Sequence, residues 1–164
     1  MIQRIQTVYL ILIALIAGLL IFNNPSFIEV QGFDKWTNSE KGSISVTFNE
    51  ATWSVNGSMI ETDDLSLITY TLGIISALAF IAIFLFRNRK LQMMLTAFNY
   101  IFILILYILM IYYGMHYSGQ ISQDKDLGIA IGLFFPLFLP IFTFMALRRI
   151  NYDEILVRST DRLR

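Results

Sequence analysis

Cysteine is absent from the chain, and histidine occurs once. Without thiols there is no disulfide exchange, thiolate nucleophile or thiolate metal site, and any folded segment outside a membrane must hold together without disulfides. Charge is also scarce, at 15% Asp, Glu, Lys and Arg, against roughly 25% in soluble domains. The deficit is localised. Ile5–Phe22, Leu65–Phe86, Leu91–Tyr113 and Leu127–Leu147 contain no Asp, Glu, Lys, Arg or His. No glycine-rich phosphate loop, HExxH pair or nucleophile motif is present.

Those four runs are long enough to cross a bilayer, which takes about 20 apolar residues at about 1.5 Å of rise each. The first is the shortest. No small-x-small cleavage pattern follows it, since it ends Ile21-Phe22-Asn23-Asn24-Pro25, so an uncleaved anchor is expected rather than a signal peptide. The predicted fold class is therefore a membrane all-α protein with a small β element. It is a four-transmembrane-helix bundle forming a single membrane domain over residues 1–164.

The net charge of zero conceals two opposite populations. With a cytoplasmic N-terminus, the inner segments hold Arg4, Arg87, Arg89, Lys90, Arg148, Arg149, Arg158, Arg162 and Arg164. Only Lys35, Lys41 and Lys125 fall outside. Among the acidic residues, Asp153, Glu154 and Asp161 are inside and the other nine outside. Lys and Arg near span ends set orientation, and here every loop agrees. Both termini are expected in the cytoplasm, with residues 148–164 as a cytoplasmic tail.

The outer segment 23–64 shows strand periodicity. Ile44, Val46 and Phe48 alternate with Ser45 and Thr47, and Trp53 and Val55 continue the pattern, the period of a half-buried strand. Asn56-Gly57 favours a two-residue hairpin turn, which also accounts for the sequon-like Asn56-Gly57-Ser58. Phe27–Val30 offers a further strand. The expectation is a small antiparallel sheet, with strands within 43–61, on the outer ends of the helices. The second outer loop, 114–126, reads as short, polar and irregular.

Three pieces of sequence carry a resemblance: Met1-Ile2-Gln3-Arg4-Ile5-Gln6 at the start, Arg87-Asn88-Arg89-Lys90-Leu91-Gln92 in the middle, and Asp153-Glu154, Leu156-Val157-Arg158-Ser159 and Asp161-Arg162-Leu163-Arg164 at the end. Together they resemble a family of small four-helix inner-membrane proteins from Bacteroidota that is catalogued as a domain of unknown function. The resemblance implies the topology above and a bacterial inner membrane. It implies no activity.

The matching polar positions, Gln3, Arg4, Gln6, Arg87, Arg89, Lys90, Gln92, Asp153, Glu154, Arg158, Asp161 and Arg162, collect at the cytoplasmic boundary and form the candidate docking surface for a partner protein or anionic lipid. The alternative is an internal clasp and positive-inside anchor. The tail can continue the fourth helix, with Arg149/Asp153 and Glu154/Arg158 at i,i+4 spacing.

Within the spans, Asn99 lies at mid-depth in the third helix, and its amide needs a partner, expected as Ser, Thr or Tyr of a neighbouring helix. Ala14/Gly18, Gly73/Ala77 and Gly128/Gly132 are small-xxx-small pairs that permit close helix approach. Pro136 and Pro140 are expected to bend the last helix. His116, with Asp124 and Asp126 on the same loop, lacks metal or acid–base motif spacing. No catalytic residue, metal, cofactor or nucleic acid is expected. Three function classes remain. The leading one is a non-enzymatic accessory or scaffold subunit that binds another membrane protein. The others are a small transporter or channel component, homo-oligomeric in one form, and a membrane enzyme acting at the outer face.

Overall fold

The computed structural model describes residues 5–33, 41–55, 58–85, 88–119 and 126–161. Four helices are long and apolar enough to cross a membrane. They are α1 (Ile5–Asn23), α2 (Ser66–Phe84), α3 (Arg89–Ser118) and α4 (Phe134–Asp161). Each packs on two neighbours in a closed ring, α1 on α2, α2 on α3, α3 on α4 and α4 on α1. Successive helices run in opposite directions, so one end of the bundle carries the sheet and the other gathers the α2–α3 connection and the end of α4. The side chain of Asn88 caps α3 by accepting from the Leu91 amide at 3.4 Å, which satisfies one of the donors that a helix start leaves free.

The strands are β1 (Ser26–Phe33), β2 (Lys41–Thr47), β3 (Glu50–Val55), β4 (Ser58–Asp64) and β5 (Asp126–Ile129). They form one antiparallel sheet in the order β4-β3-β2-β1-β5. The alternation read from the sequence is the alternation of burial. Ile44, Val46 and Phe48 are buried, while Ser43 and Ser45 on the other face bond to Ser54 and Thr52 across the strands. Val55 pairs with Ser58 across β3 and β4, but the predicted Asn56-Gly57 turn itself lies outside the described residues.

The sheet and the helix ends share one core. Phe27 and Phe48 are fully buried with ring centroids 5.2 Å apart, in the same apolar cluster as Leu20 of α1, Ile68 of α2 and Met110 of α3. A turn at Phe48-Asn49 fastens it. Asn24 adopts φ 42° just after α1, a left-handed position that Asn tolerates at a helix end. Its Oδ1 accepts from the Asn49 amide at 2.9 Å. On the α2 side, the Leu65 amide donates to the Asn49 carbonyl at 2.7 Å, and the Thr69 hydroxyl donates to the Phe48 carbonyl at 3.0 Å. The first long connection is thereby tied to both helices it joins.

Four expectations change around the second connection and the start of the helix after it. The third helix continues to Ser118, and the segment read as the start of the fourth span contains a strand. Leu127-Gly128-Ile129 is apolar enough to extend a helix by hydropathy, but it pairs with Val30, Glu29 and Ile28 and completes the sheet edge. α4 begins only at Phe134, after a 3₁₀ turn at Ile131–Leu133. Gly128 and Gly132 are consequently not a helix-packing pair. A Cβ on Gly132 would meet the Ser26 carbonyl carbon at 2.8 Å and the Pro25 oxygen at 3.1 Å, so this glycine lets the chain pass close to β1. Pro136 falls in the first turn of α4, where its missing N–H removes nothing, and Pro140 alone lies inside the helix.

Candidate functional site

The polar groups between the helices point to main-chain carbonyls. Gln92 is fully buried, and its Nε2 donates to the Ala82 carbonyl of α2 at 3.0 Å. One turn further, the Thr96 hydroxyl bonds back to the Gln92 carbonyl at 2.8 Å. Asn99 Nδ2 then reaches the Ile75 carbonyl of α2 at 3.4 Å. The expected Ser, Thr or Tyr partner of Asn99 is therefore a backbone oxygen. The α2–α3 pairing is close enough to bring the amide against the neighbouring helix backbone, and a carbonyl has a second lone pair to offer. On the next interface, the Ser76 hydroxyl of α2 donates to the Ala14 carbonyl of α1 at 3.2 Å.

Facing α4, Tyr100 and Tyr107 of α3 donate their hydroxyls to the carbonyls of Pro140 and Pro136 at 3.0 and 2.9 Å. Sequence reasoning missed this pair. The signal was present as two tyrosines seven residues apart on one helix, opposite two prolines four apart on the next. Pro140 has no N–H for the carbonyl one turn earlier, which belongs to Pro136. Tyr107 supplies the missing donor. Three amide oxygens, Gln6 Oε1, Gln92 Oε1 and Asn99 Oδ1, are buried without a hydrogen-bond partner among the described residues.

At the end away from the sheet, two of the three segments of the predicted polar rim meet. Arg89 Nη1 donates to the Asp153 carbonyl at 2.6 Å, joining the start of α3 to the extension of α4. Lys90 is exposed, and Asp153 and Glu154 are half-buried. Gln6 and Gln92 lie inside the bundle, 4% and 0% exposed. Gln3, Arg4, Arg87 and Arg162 lie outside the described residues. Arg158 and Asp161 belong to α4 as backbone, with their side chains outside the described set.

At the sheet end the Tyr117 hydroxyl donates to Asp63 Oδ2 of β4 at 3.1 Å. The exposed His116 packs its ring against Tyr112 and Tyr117, with centroids 6.2 and 5.2 Å away. Asp124 and the Asp126 side chain, its proposed companions, lie outside the described residues. Among those described, no group of three His, Asp or Glu residues is arranged to hold a metal ion. Glu50, Asp63 and Asp64 instead line a shallow cleft of about 400 Å³ beside the start of α2.

Residues 2–163 match the family described as Domain of unknown function (DUF4293), and the chain belongs to that family. The resemblance to an uncharacterised domain family noted from the three sequence pieces thus extends over nearly the whole chain. No curated protein matches it.

Proposed function

We propose that this member of the family is a four-span protein of a bacterial inner membrane, with both termini in the cytoplasm and the sheet outside. It works there as a non-enzymatic accessory or scaffold subunit that holds another membrane protein. The charge distribution supports the orientation: Arg89, Lys90, Arg148 and Arg149 all belong to the end of the bundle away from the sheet. The accessory role rests on one observation, the destination of the polar groups between the helices. Gln92, Asn99, Ser76, Tyr100 and Tyr107 each spend a donor on a carbonyl of the adjacent helix. These bonds fix a rigid four-helix frame, with the Arg89–Asp153 junction presented at its cytoplasmic rim.

Purification of the chain in mild detergent, with reciprocal purification of any co-purifying membrane protein, tests the reading. Arg89→Gln and Arg158→Gln should leave the bundle inserted and folded while reducing partner recovery. Unchanged recovery would refute rim docking, and loss of the chain from the membrane would identify the rim as an internal clasp.

A second reading, a small transporter or channel component, draws on the buried oxygens of Gln6, Gln92 and Asn99, which have no hydrogen-bond partner among the described residues and are sites a permeating polar species can use. Ion flux through vesicles carrying the purified chain, absent in Asn99→Leu, would favour it.

A further inference from the structure

A groove of about 620 Å³ runs along α4 beside α1, at the end away from the sheet. Its α4 wall is a single stripe at three- and four-residue spacing, from Ile141 through Phe144 and Met145 to Arg148, Arg149 and Tyr152. Tyr9 of α1 closes the other side, its ring stacked on Phe142 with centroids 6.4 Å apart. The chemistry along the groove is ordered. Its apolar part comes first, about 6 Å of helix separates Phe144 from Arg148, and Asn151, Tyr152 and then Ile155 follow beyond the arginines. Among the described residues neither guanidinium has an ion pair or hydrogen bond, and both are exposed. The carboxylates of Asp153 and Glu154, on the next turn, are not part of the lining.

We infer that this groove binds an anionic membrane phospholipid, its phosphate on Arg148 and Arg149 and one acyl chain along Phe144, Met145 and Ile141. From Ile141 to Tyr152 the walls follow the order of groups in such a molecule: hydrocarbon, then a phosphodiester, then a polar headgroup, with Ile155 at the far end beside that headgroup. Guanidinium forks suit phosphate oxygens bidentately. Tyr152, 55% exposed, has the amphipathic shape that favours headgroup level. The inference rests on the helices crossing a membrane and does not depend on the accessory role. It also separates Arg148 and Arg149 from the rim formed by Arg89 and Asp153.

Native mass spectrometry of the full chain in mild detergent, supplemented with equal phosphatidylglycerol and phosphatidylcholine, tests it. The wild-type chain should retain phosphatidylglycerol in preference. In Arg148→Gln/Arg149→Gln its retention should fall about 30-fold, since each basic residue contributes roughly a factor of five near an anionic lipid. Lys41→Gln, in β2 at the sheet end of the bundle, should leave retention unchanged, and Arg148→Lys/Arg149→Lys should restore the preference in part, by charge without the bidentate fork. Equal retention of both lipids by the wild-type chain overturns the inference even if the double variant does not fold. Retention unchanged in the glutamine variant, or a co-purifying protein lost from it in place of lipid, overturns it as well. Partner recovery unaffected by that variant shows that the lipid site stands apart from rim docking.

Discussion

Tyr107→Phe removes one oxygen, and the structure sets its cost through Pro140. Pro136 is a buried residue, and the residue four positions on, the normal amide donor to its carbonyl, is the proline inside α4. The Tyr107 hydroxyl at 2.9 Å occupies that place. Hydrogen bonds between membrane helices contribute about 0.6 kcal/mol on average and about 1.7 at most. A buried acceptor stranded without a donor costs about 1–3 kcal/mol. Tyr107→Phe should therefore fall near the upper membrane value, about 1.5 kcal/mol. Tyr100→Phe is the internal control. Its hydroxyl also reaches a proline carbonyl, at 3.0 Å, but the Pro140 carbonyl has the Phe144 amide one turn on, so its loss should cost about 0.5 kcal/mol. The decisive step is a double-mutant cycle. Pro140→Ala restores an N–H aimed at the Pro136 carbonyl, and in that background Tyr107→Phe should also cost only about 0.5 kcal/mol, a coupling of about 1 kcal/mol. Reversible unfolding in mixed micelles, titrated with dodecyl sulfate, reads all four corners. A Tyr107→Phe cost no larger than that of Tyr100→Phe, or one indifferent to Pro140→Ala, refutes the reasoning.

Two further tests address the sheet junction and the orientation. Gly132→Ala would press a Cβ onto the backbone of Pro25 and Ser26, which cannot swing aside, and should destabilise by about 1–3 kcal/mol. Gly114→Ala meets the movable Ile28 Cδ1 at 2.5 Å and should cost less; equal losses in the same titration would show that β1 and β5 are not held as described. A reporter active only in the cytoplasm should work after Arg164 or within residues 87–90, whereas activity from the Asn56-Gly57 position would reverse the orientation.

Much of this molecule is written in local features. Four charge-free runs announce four apolar helices, because a helix satisfies its own backbone and needs only length and hydropathy to be recognised. The Ile44-Val46-Phe48 alternation announces half-buried strands, because side chains in a strand change face at every residue. The helical continuation of the tail through Asp161 was likewise legible from its i,i+4 charges. What required the tertiary structure was every choice among distant partners. Leu127–Ile129 became a strand because the edge of β1 was unpaired, a fact set nearly a hundred residues earlier in the chain. Asn99 and Gln92 found carbonyls of α2, and Tyr107 found the carbonyl that Pro140 leaves free, since main-chain oxygens are identical in any sequence and packing alone selects among them. Gln6 and Gln92 read as rim residues by position, but the rotation of α1 and α3 carries both into the bundle. Arg148 and Arg149 read as ordinary basic flanks until α1 came alongside α4 and made one wall of a groove from Tyr9 and the other from the turns beside them.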